Sequence, residues 1–314
     1  MADPILKWVG GKRQLLSDIR SHFPIEYDQY HEPFIGGGAV FFELEPASGS
    51  INDLNRRLIN FYKTIRDYPE RLIEENEIHT YEEEYYYEAR DRFNELHTLE
   101  ERTVNQEIEE ASLMLYLNRT GYNGLYRENQ SGEFNVPFGE HSNPDYIRGR
   151  QIRAASAILE DIDISNTDFS YIIDRATSKD LVYFDPPYEP VSKTADFTQY
   201  QSEGFDKSDQ ERLRDLGARL NDAGIHVVIS NSPPVWELYK DLPDFSVNYV
   251  DAARMINSDA DSRGDVAEVI ITNVPTKQQQ QQNLQDYVWY DLPIYITSNI
   301  VRVSFYVLGA QSIS

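Results

Sequence analysis

Four consecutive residues, Asp185-Pro186-Pro187-Tyr188, bring together an acid, two prolines and an aromatic ring. They follow Leu181-Val182-Tyr183-Phe184, an apolar run typical of a buried strand. Two successive prolines stop a strand and fix a rigid turn, so a carboxylate, a backbone carbonyl and a ring surround one small space. A planar ring that carries an amino group could stack on Tyr188 and donate its amino hydrogens to Asp185. The alternative is a plain strand-ending turn, because short motifs also recur by chance.

Two glycine-rich turns lie upstream of this motif. In Lys7-Trp8-Val9-Gly10-Gly11-Lys12 the glycines allow close backbone approach to a ligand, and Lys12 near a helix start suits an anionic group. The stretch 31–44 reads as a strand end, a turn at Gly36-Gly37-Gly38 and an apolar helix, which is how nucleoside-binding α/β folds begin. Neither turn has the Walker A spacing, and the missing G-x-G-x-x-G disfavours a dinucleotide oxidoreductase.

Acids follow two further predicted strands. Asp53 comes after a strand near Ser50-Ile51, 15 residues beyond Gly38, where an acid can bind ribose hydroxyls. It could instead cap a helix that begins near Leu54. Asp168 follows a strand predicted at 161–164 and is a candidate contact for the base of a nucleoside cofactor.

The order of elements predicts a mainly parallel α/β sheet. Besides the strands above, apolar runs at 225–231 and 266–273 predict strands, and 205–223, which follows the Asp185-Pro-Pro-Tyr motif, predicts a helix. The region from Leu54 to about Leu117 is helical and acidic in pattern. Because it separates the first two strands from the later ones, we expect it to form a second, helical domain.

Residues 118–139 differ in composition from the helical, acidic region before them. Asn-Gly and Ser-Gly pairs among aromatic and apolar residues predict a β-hairpin. On such a hairpin Arg127 could read guanine, and Tyr122 could wedge into a base step beside Asn123. The alternative is that these are turn and packing residues.

The composition narrows the class of protein. There are 314 residues, 40% of them hydrophobic, with no apolar run long enough to span a membrane and no basic, apolar leader. Cysteine is absent and only six histidines occur, so thiol chemistry is excluded and a metal enzyme is disfavoured. The net charge of −24, with few lysines, favours a halophilic source over an ordinary acidic protein and argues against DNA as a partner on global charge alone.

Four stretches together resemble the Dam family of DNA adenine N6-methyltransferases. They are residues 7–12, residues 34–38, the segment 118–139 and residues 185–188, and the resemblance covers about residues 5–274. It implies a Rossmann-like α/β methyltransferase sheet that uses S-adenosyl-L-methionine (SAM), with an inserted helical target-recognition domain bearing a β-hairpin. The implied domains are a discontinuous catalytic domain (1–54 and 155–274) and a target-recognition domain (55–154). Residues 275–314 remain as a glutamine-rich linker and an extension without a physical account.

The resemblance also implies roles for individual residues. Asp185 and the Pro186 carbonyl would accept hydrogen bonds from adenine N6 in the rigid turn that Pro187 completes, and Tyr188 would stack on the flipped base. The residues implied to contact SAM are Trp8, Lys12, Phe34, Gly36, Gly38, Asp53, Asp168 and Asp185. Those implied to contact double-stranded DNA, in GATC sites, are Lys7, Arg119, Tyr122, Asn123, Leu125, Arg127 and Pro137.

Several questions stay open at the level of sequence. The same fold could methylate adenine in another sequence or cytosine at N4, and Glu140 stands where Dam enzymes can carry a basic residue, which puts one DNA contact in doubt. A DNA-binding module without catalysis is disfavoured by the intact Asp185-Pro-Pro-Tyr motif. We expect a monomer without metal or membrane attachment, in the cytoplasm of a prokaryote or of a viral host. Whether it serves regulation or restriction-modification is not decided.

Overall fold

A seven-stranded sheet in the order β3-β2-β1-β4-β5-β7-β6 forms the frame of the protein. The structure, a computed structural model, describes residues 4–8, 10, 12–188, 205–252, 266–276 and 279–280. The strands are β1 (Tyr30–Glu32), β2 (Gly49–Asn52), β3 (Ile162–Ser165), β4 (Leu181–Phe184), β5 (His226–Asn231), β6 (Ser246–Ala252) and β7 (Val266–Thr272). Strands β1 to β5 are mutually parallel, which confirms the predicted mixed α/β, Rossmann-like sheet.

The strand order reverses direction between β1 and β4. The chain runs outward through β2 and β3 and then returns to place β4 on the other side of β1. At such a switch point the loops that leave neighbouring strands diverge and open a crevice at the carboxyl ends of the strands. We call this side of the sheet the carboxyl edge; it receives the loops that begin at Pro33, Asp53 and Asp185.

Strand β7 runs antiparallel between β5 and β6. Its first residues therefore lie at the same edge as the last residues of β5, with Asn231 opposite Val269. Strand β6 is not among the sequence predictions. It is an edge strand in which polar residues such as Asn248 alternate with apolar ones, so it lacks the continuous apolar run of the central strands.

Ten α-helices are described around and beside the sheet. Helix α1 (Leu16–Ser21) precedes β1, and those that join sheet strands directly are α2 (Ala39–Leu44), α8 (Ile172–Arg175), α9 (Lys207–Asp222) and α10 (Trp236–Tyr239). Those between β2 and β3 are α3 (Arg56–Asp67), α4 (Pro69–Glu77), α5 (Glu83–His97), α6 (Val104–Thr120) and α7 (Gly149–Leu159). The predicted helical insertion is thus present as five helices.

The insertion shares a hydrophobic core with the first half of the sheet. Phe61 and Met114 from the insertion are buried in the same cluster as Phe41 and Ile51 from the sheet side. Helix α7 also runs uninterrupted across the predicted boundary at 154/155. Residues 1–275 accordingly form one compact unit, and residues 276–314, of which little is described, form another. The polyglutamine run (apart from Gln279 and Gln280) and the apolar stretch 290–308 lie outside the described residues.

The 118–139 segment folds back on itself, although it is not a regular hairpin. Its two arms meet in isolated antiparallel bridges between Gly121 and Phe138 and between Glu128 and Phe134. Helix α6 continues into the segment as far as Thr120, and a 3-10 turn follows at Tyr122–Gly124. Asn123 in that turn has a φ of 55°, which interrupts the extended backbone that a strand requires.

Candidate active site and recognition segment

Lys12 and Asp185 form a buried ion pair at the carboxyl edge. Lys12 belongs to the 3-10 turn at Lys12–Gln14, and its Nζ lies 3.0 Å from Asp185 Oδ1 and 3.1 Å from the Gly10 carbonyl oxygen. Its side chain is 5% exposed, against 22% for Asp185. Burial raises the pKa of the Asp185 carboxyl, and the Lys12 ammonium opposes that rise. The Oδ1 atom of Asp185 thus lies against a cationic donor, which favours the charged form of the carboxyl.

The Tyr188 ring lies against the same cation. Lys12 Nζ is 4.5 Å from the ring centroid, within cation–π range. The Tyr188 hydroxyl donates to Glu268 Oε2 at 2.7 Å, and Glu268 Oε2 is 3.8 Å from Lys12 Nζ. Burial, followed by the nearby charges of Asp185 and Glu268, raises the pKa of the Tyr188 phenol, so the phenol remains a donor. One ammonium therefore contacts the ring and the carboxylate that the sequence assigned to a substrate base.

A side chain of helix α9 forms a hydrogen bond with the turn that follows β4. Gln210 is fully buried, and its Nε2 donates to the Pro187 carbonyl oxygen at 3.1 Å. The Gln210 amide is oriented by Asn231, whose Nδ2 donates to Gln210 Oε1 at 3.0 Å. Since a buried amide with all its partners is costly to displace, this pair fixes the backbone of the motif.

The glycine turn after β1 packs closely on Trp8. A Cβ added at Gly37 would lie 2.7 Å from Trp8 Cβ, so only glycine fits there. Gly36 and Gly38 have φ values of 47° and 70°, a left-handed conformation that favours glycine. The Trp8 ring stacks on Tyr126 with centroids 5.0 Å apart. The structure therefore brings Trp8, Gly36 and Gly38 together in one place.

Asp53 closes the other side of this turn. Its Oδ2 accepts from the Gly36 amide at 3.1 Å, and its Oδ1 accepts from the Asn55 amide at 2.9 Å. The helix cap proposed for Asp53 falls instead to Asn55, whose side chain accepts from the Leu58 amide. Burial raises the pKa of the Asp53 carboxyl. Asp53 thus ties β2 to the glycine turn at the position predicted for a ribose contact.

Phe34 and Asp168 lie near each other beside an aromatic cluster. The Phe34 ring is 5.4 Å from Phe169 and 5.6 Å from Phe205, measured between centroids. Asp168 pairs with Arg212 at 2.9 Å. Burial acts to raise the pKa of Asp168, but bonds from Ser170 and the Arg212 guanidinium bring it below its ordinary value. Both residues stand at the carboxyl edge, as predicted for contacts to a cofactor base.

Asn118 joins the N-terminal stretch to the 118–139 segment. Its Oδ1 accepts from the Lys7 amide at 2.8 Å, and its Nδ2 donates to the carbonyl oxygens of Lys7 and Gly124 at 2.8 and 3.0 Å. Asn118 is 1% exposed, so these bonds are shielded from water. They place the exposed Lys7 side chain beside the turn at Tyr122–Gly124.

Basic side chains gather at this junction. Burial and then the charge of Arg119 lower the pKa of Lys7, and burial followed by Arg148 lowers the pKa of Arg119, with Arg13 also contributing. The Arg119 Nε donates to the Asp145 carbonyl oxygen at 3.1 Å. A local concentration of positive charge therefore exists on a chain that is strongly acidic overall.

The remaining residues predicted to contact DNA differ in how exposed they are within the 118–139 segment. Tyr122 is 53% exposed, Asn123 and Pro137 are exposed, and Leu125 is half-buried. Arg127 is held in place, since its Nε donates to Asn135 Oδ1 at 2.5 Å and its Nη2 donates to the Asn135 carbonyl oxygen at 3.1 Å. Glu140 is exposed at the end of the same segment.

Sequence reasoning missed several residues that position the site. Glu268 is an acid within the apolar strand β7, and Gln210 is a polar residue on the apolar face of α9; both irregularities are visible in the sequence. A third case is the buried Arg57, whose Nη1 lies 3.2 Å from Glu128 Oε1, while the Tyr126 hydroxyl donates to that same oxygen. These contacts connect helix α3 to the 118–139 segment beside the Trp8–Tyr126 stack, and no spacing in the sequence predicts them.

The described ranges contain neither a metal-binding cluster nor a membrane-spanning helix. Within residues 4–8, 10, 12–188, 205–252, 266–276 and 279–280, no group of three or more His, Asp or Glu side chains is placed to hold a metal ion. No helix in that part of the chain has the length and apolar character needed to cross a membrane.

Comparisons with known proteins agree with this geometry. The family model of the D12 class N6 adenine-specific DNA methyltransferases matches residues 8–256. The chain is 43% identical over 278 residues to the Type II methyltransferase M1.LlaDCHI of Lactococcus lactis, covering 86% of this chain and 95% of that protein. It is 37% identical to the Type II methyltransferase M.MjaIII of Methanocaldococcus jannaschii (86% and 98% covered) and 34% identical to the DNA adenine methylase of Vibrio cholerae (86% and 95%). The chain therefore belongs to the D12 class of N6 adenine-specific DNA methyltransferases.

Proposed function

We propose that the protein transfers a methyl group from SAM to N6 of an adenine flipped out of double-stranded GATC sites. The observation that supports this most is the meeting of Asp185, Tyr188 and Lys12 beside the glycine turn of β1. An acceptor, a stacking ring and an anion-binding cation thus stand together at the strand-order switch point, where α/β sheets bind their ligands.

The residues around the glycine turn fit SAM. The close approach of Gly37 to Trp8 keeps the turn backbone free of side chains, and Gly10 faces open space. In this proposal Asp53 holds the ribose hydroxyls, Phe34 and Asp168 flank the adenine of the cofactor, and Lys12 lies beside its methionine part. When bound, the cofactor supplies an electrophilic methyl group.

The base is positioned by the motif after β4. Asp185 and the Pro186 carbonyl accept the two N6 hydrogens of the target adenine, and Tyr188 stacks on its ring. These acceptors turn the nitrogen lone pair toward the methyl group, and after transfer the surplus N6 proton passes to solvent water. Positioning supplies most of the rate, so no nucleophile or metal ion is required. The rigid turn that Gln210 supports suits that task.

Recognition falls to the 118–139 segment. Arg127, Tyr122 and Asn123 read the bases, while Lys7 and Arg119 contact phosphates beside them. Leu125 and Pro137 supply apolar contact to base edges. We propose residues 55–154 as the target-recognition domain and 1–54 with 155–274 as the catalytic domain of a monomer, and the helical insertion supports this division.

Expression in a host without GATC methylation tests the proposal. Host DNA is digested with two nucleases, one that cuts only unmethylated GATC and one that cuts only methylated GATC. The proposal predicts protection from the first and cutting by the second. GATC sites that stay unmethylated, both in the host and with purified protein and SAM at high salt, would overturn it.

A further inference from the structure

Glu268 is a buried carboxylate at the carboxyl edge that takes no part in the transfer proposed above. It is 8% exposed and lies near the start of β7, opposite Val250 on β6. It reaches the edge because β7 runs antiparallel, so the beginning of this strand lies where the parallel strands end. A buried acid inside an apolar strand is costly unless it is bonded, which indicates a specific role.

Among the residues that the structure describes, Tyr188 and Lys12 contact the Glu268 carboxyl, and both belong to the proposed base site. Its Oε2 accepts from the Tyr188 hydroxyl at 2.7 Å and lies 3.8 Å from Lys12 Nζ. The first distance is that of a full hydrogen bond to a carboxyl oxygen. The second is an ion pair still about 1 Å too long for a direct hydrogen bond.

Lys12 stands where the target base would have to stand. Its ammonium is 3.0 Å from Asp185 Oδ1 and 4.5 Å from the centre of the Tyr188 ring. In the proposed reaction the adenine amino group bonds to Asp185 and the adenine ring stacks on Tyr188. The base and the ammonium therefore compete for the same two groups, so Lys12 must leave Asp185 before adenine can bind.

We propose that Glu268 is a positioning residue for insertion of the target adenine, holding Tyr188 in place and receiving Lys12 when adenine takes over Asp185. A shift of about 1 Å toward Glu268 would give Lys12 a direct bond and keep the buried ammonium paired. The Tyr188 ring would stay fixed during the exchange, because its hydroxyl is bonded to the carboxylate that receives Lys12. This inference rests on the proposed function, since it requires an adenine at Asp185.

Glu268→Gln separates the charge of this residue from its shape. The amide keeps an oxygen that can accept from Tyr188 but cannot balance the Lys12 charge. Lys12 should then hold Asp185 more tightly, and adenine insertion should weaken about tenfold, the size of one charge-assisted interaction. Glu268→Asp keeps the charge and should recover most of that loss. Glu237→Gln removes an exposed acid of α10 and serves as the matched control.

The experiment measures base insertion without chemistry. A GATC duplex with 8-vinyladenine at the target position, a fluorescent base that keeps the 6-amino group, is titrated with full-length protein at saturating S-adenosylhomocysteine, and its fluorescence reports the unstacked base. The same titration is repeated in a Lys12→Met background. If Glu268 acts through Lys12, Glu268→Gln should cost about tenfold in the parent and less than about twofold with Lys12→Met.

An equal cost in both backgrounds, or no cost in the parent, would overturn the inference. Thermal unfolding of each variant identifies a fold that has been lost, and if Glu268→Gln does not fold, Glu268→Ala, which also removes the charge, supplies the same comparison in the two backgrounds. Failure of the proposed function looks different, because the parent protein would then not methylate the unmodified duplex at all.

Discussion

The carboxyl edge and the 118–139 segment differ in the interactions that hold them and in how exposed their side chains are. At the edge, Lys12, Asp185 and Glu268 are charged, close together and largely shielded from water. In the 118–139 segment, Tyr122 and Asn123 are exposed, and the backbone is held by Asn118 and Asn135. The edge therefore depends on charge balance, whereas the segment depends on a rigid backbone that presents free side chains.

This difference predicts how substitutions will act. A change at the edge should alter the rate of methyl transfer with little effect on which sequence is chosen. A change in the 118–139 segment should alter the choice of sequence or the affinity for DNA and leave the transfer step intact. The predictions below test that division, from the largest expected effect to the smallest.

Replacement of Asp185 should have the largest effect. Asp185→Ala removes the acceptor for adenine N6, and the single-turnover rate of methylation should fall by about 10²–10³, the cost of losing one preorganised bond in the transition state. Cofactor binding should largely survive, because the glycine turn, Trp8 and Asp53 are untouched. Asp241→Ala, at an exposed position, is the control. Retained turnover would show that the acid does not face the target base.

Low pH should destabilise the helical insertion because it protonates His79. This side chain is buried between the Tyr85 hydroxyl and Ser112, and burial lowers its pKa to about 4. Folding disfavours protonation of the His79 imidazole. The contribution of this group to the free energy of unfolding is therefore fully present above its ordinary pKa of about 6.5 and is lost as pH falls toward 4. We expect a loss of about 3 kcal/mol in the free energy of unfolding from this group between pH 7 and pH 4.

Denaturant unfolding at several pH values measures this contribution. His79→Gln should lose about 3 kcal/mol less than the parent over the same interval. Parallel curves for the two proteins would show that His79 is not the responsible group. Because His79 and Ser112 support the loop that carries Tyr146, the acid-sensitive part should be the insertion and not the edge.

Removal of Arg127 should change sequence choice. Arg127→Ala should reduce discrimination between GATC and a site with one altered base pair by about 1–3 kcal/mol, the value of one bidentate contact to a base. The measurement is the ratio of kcat/KM on the two duplexes. Arg153→Ala removes an arginine that pairs with Glu70 on an exposed surface and is the matched control. Unchanged discrimination would remove Arg127 from base readout.

Reversal of the charge at Glu140 should have the smallest effect. Glu140 is exposed beside the 118–139 segment, so Glu140→Lys should leave folding unchanged and add a cation near the DNA. The slope of log affinity against log salt should steepen by about one unit, as for one added phosphate contact. An unchanged slope would place Glu140 away from the DNA backbone.

The parallel part of the fold follows from sequence because each central strand is a short apolar run with a polar residue after it. Asp53, Asp168 and Asp185 were therefore predicted at one edge of the sheet, and the structure places them there. Strand β6 was missed because an edge strand needs no apolar run. Glu268 was missed because polar residues mark the carboxyl edge only when they follow a parallel strand. Strand β7 is antiparallel, so its residue at that edge comes near the beginning of the strand.

The contacts within the site depend on tertiary structure and lie beyond sequence patterns. Nothing in the spacing of Lys12 and Asp185 predicts their ion pair, since 173 residues separate them. The same holds for the bond between Gln210 and Pro187 and for the stacking of Trp8 on Tyr126. For the 118–139 segment, glycine pairs predicted the reversal of the chain, but the 3-10 turn at Tyr122–Gly124 depends on packing against Lys7.

Nucleoside mass spectrometry of a defined duplex tests the central claim most directly. A duplex with one GATC site and a matched duplex with the order of the four bases changed are incubated with the protein and SAM at high salt. The account predicts N6-methyladenine at the GATC adenine of both strands and none in the matched duplex. Methylated cytosine, or equal methylation of the two duplexes, would contradict it.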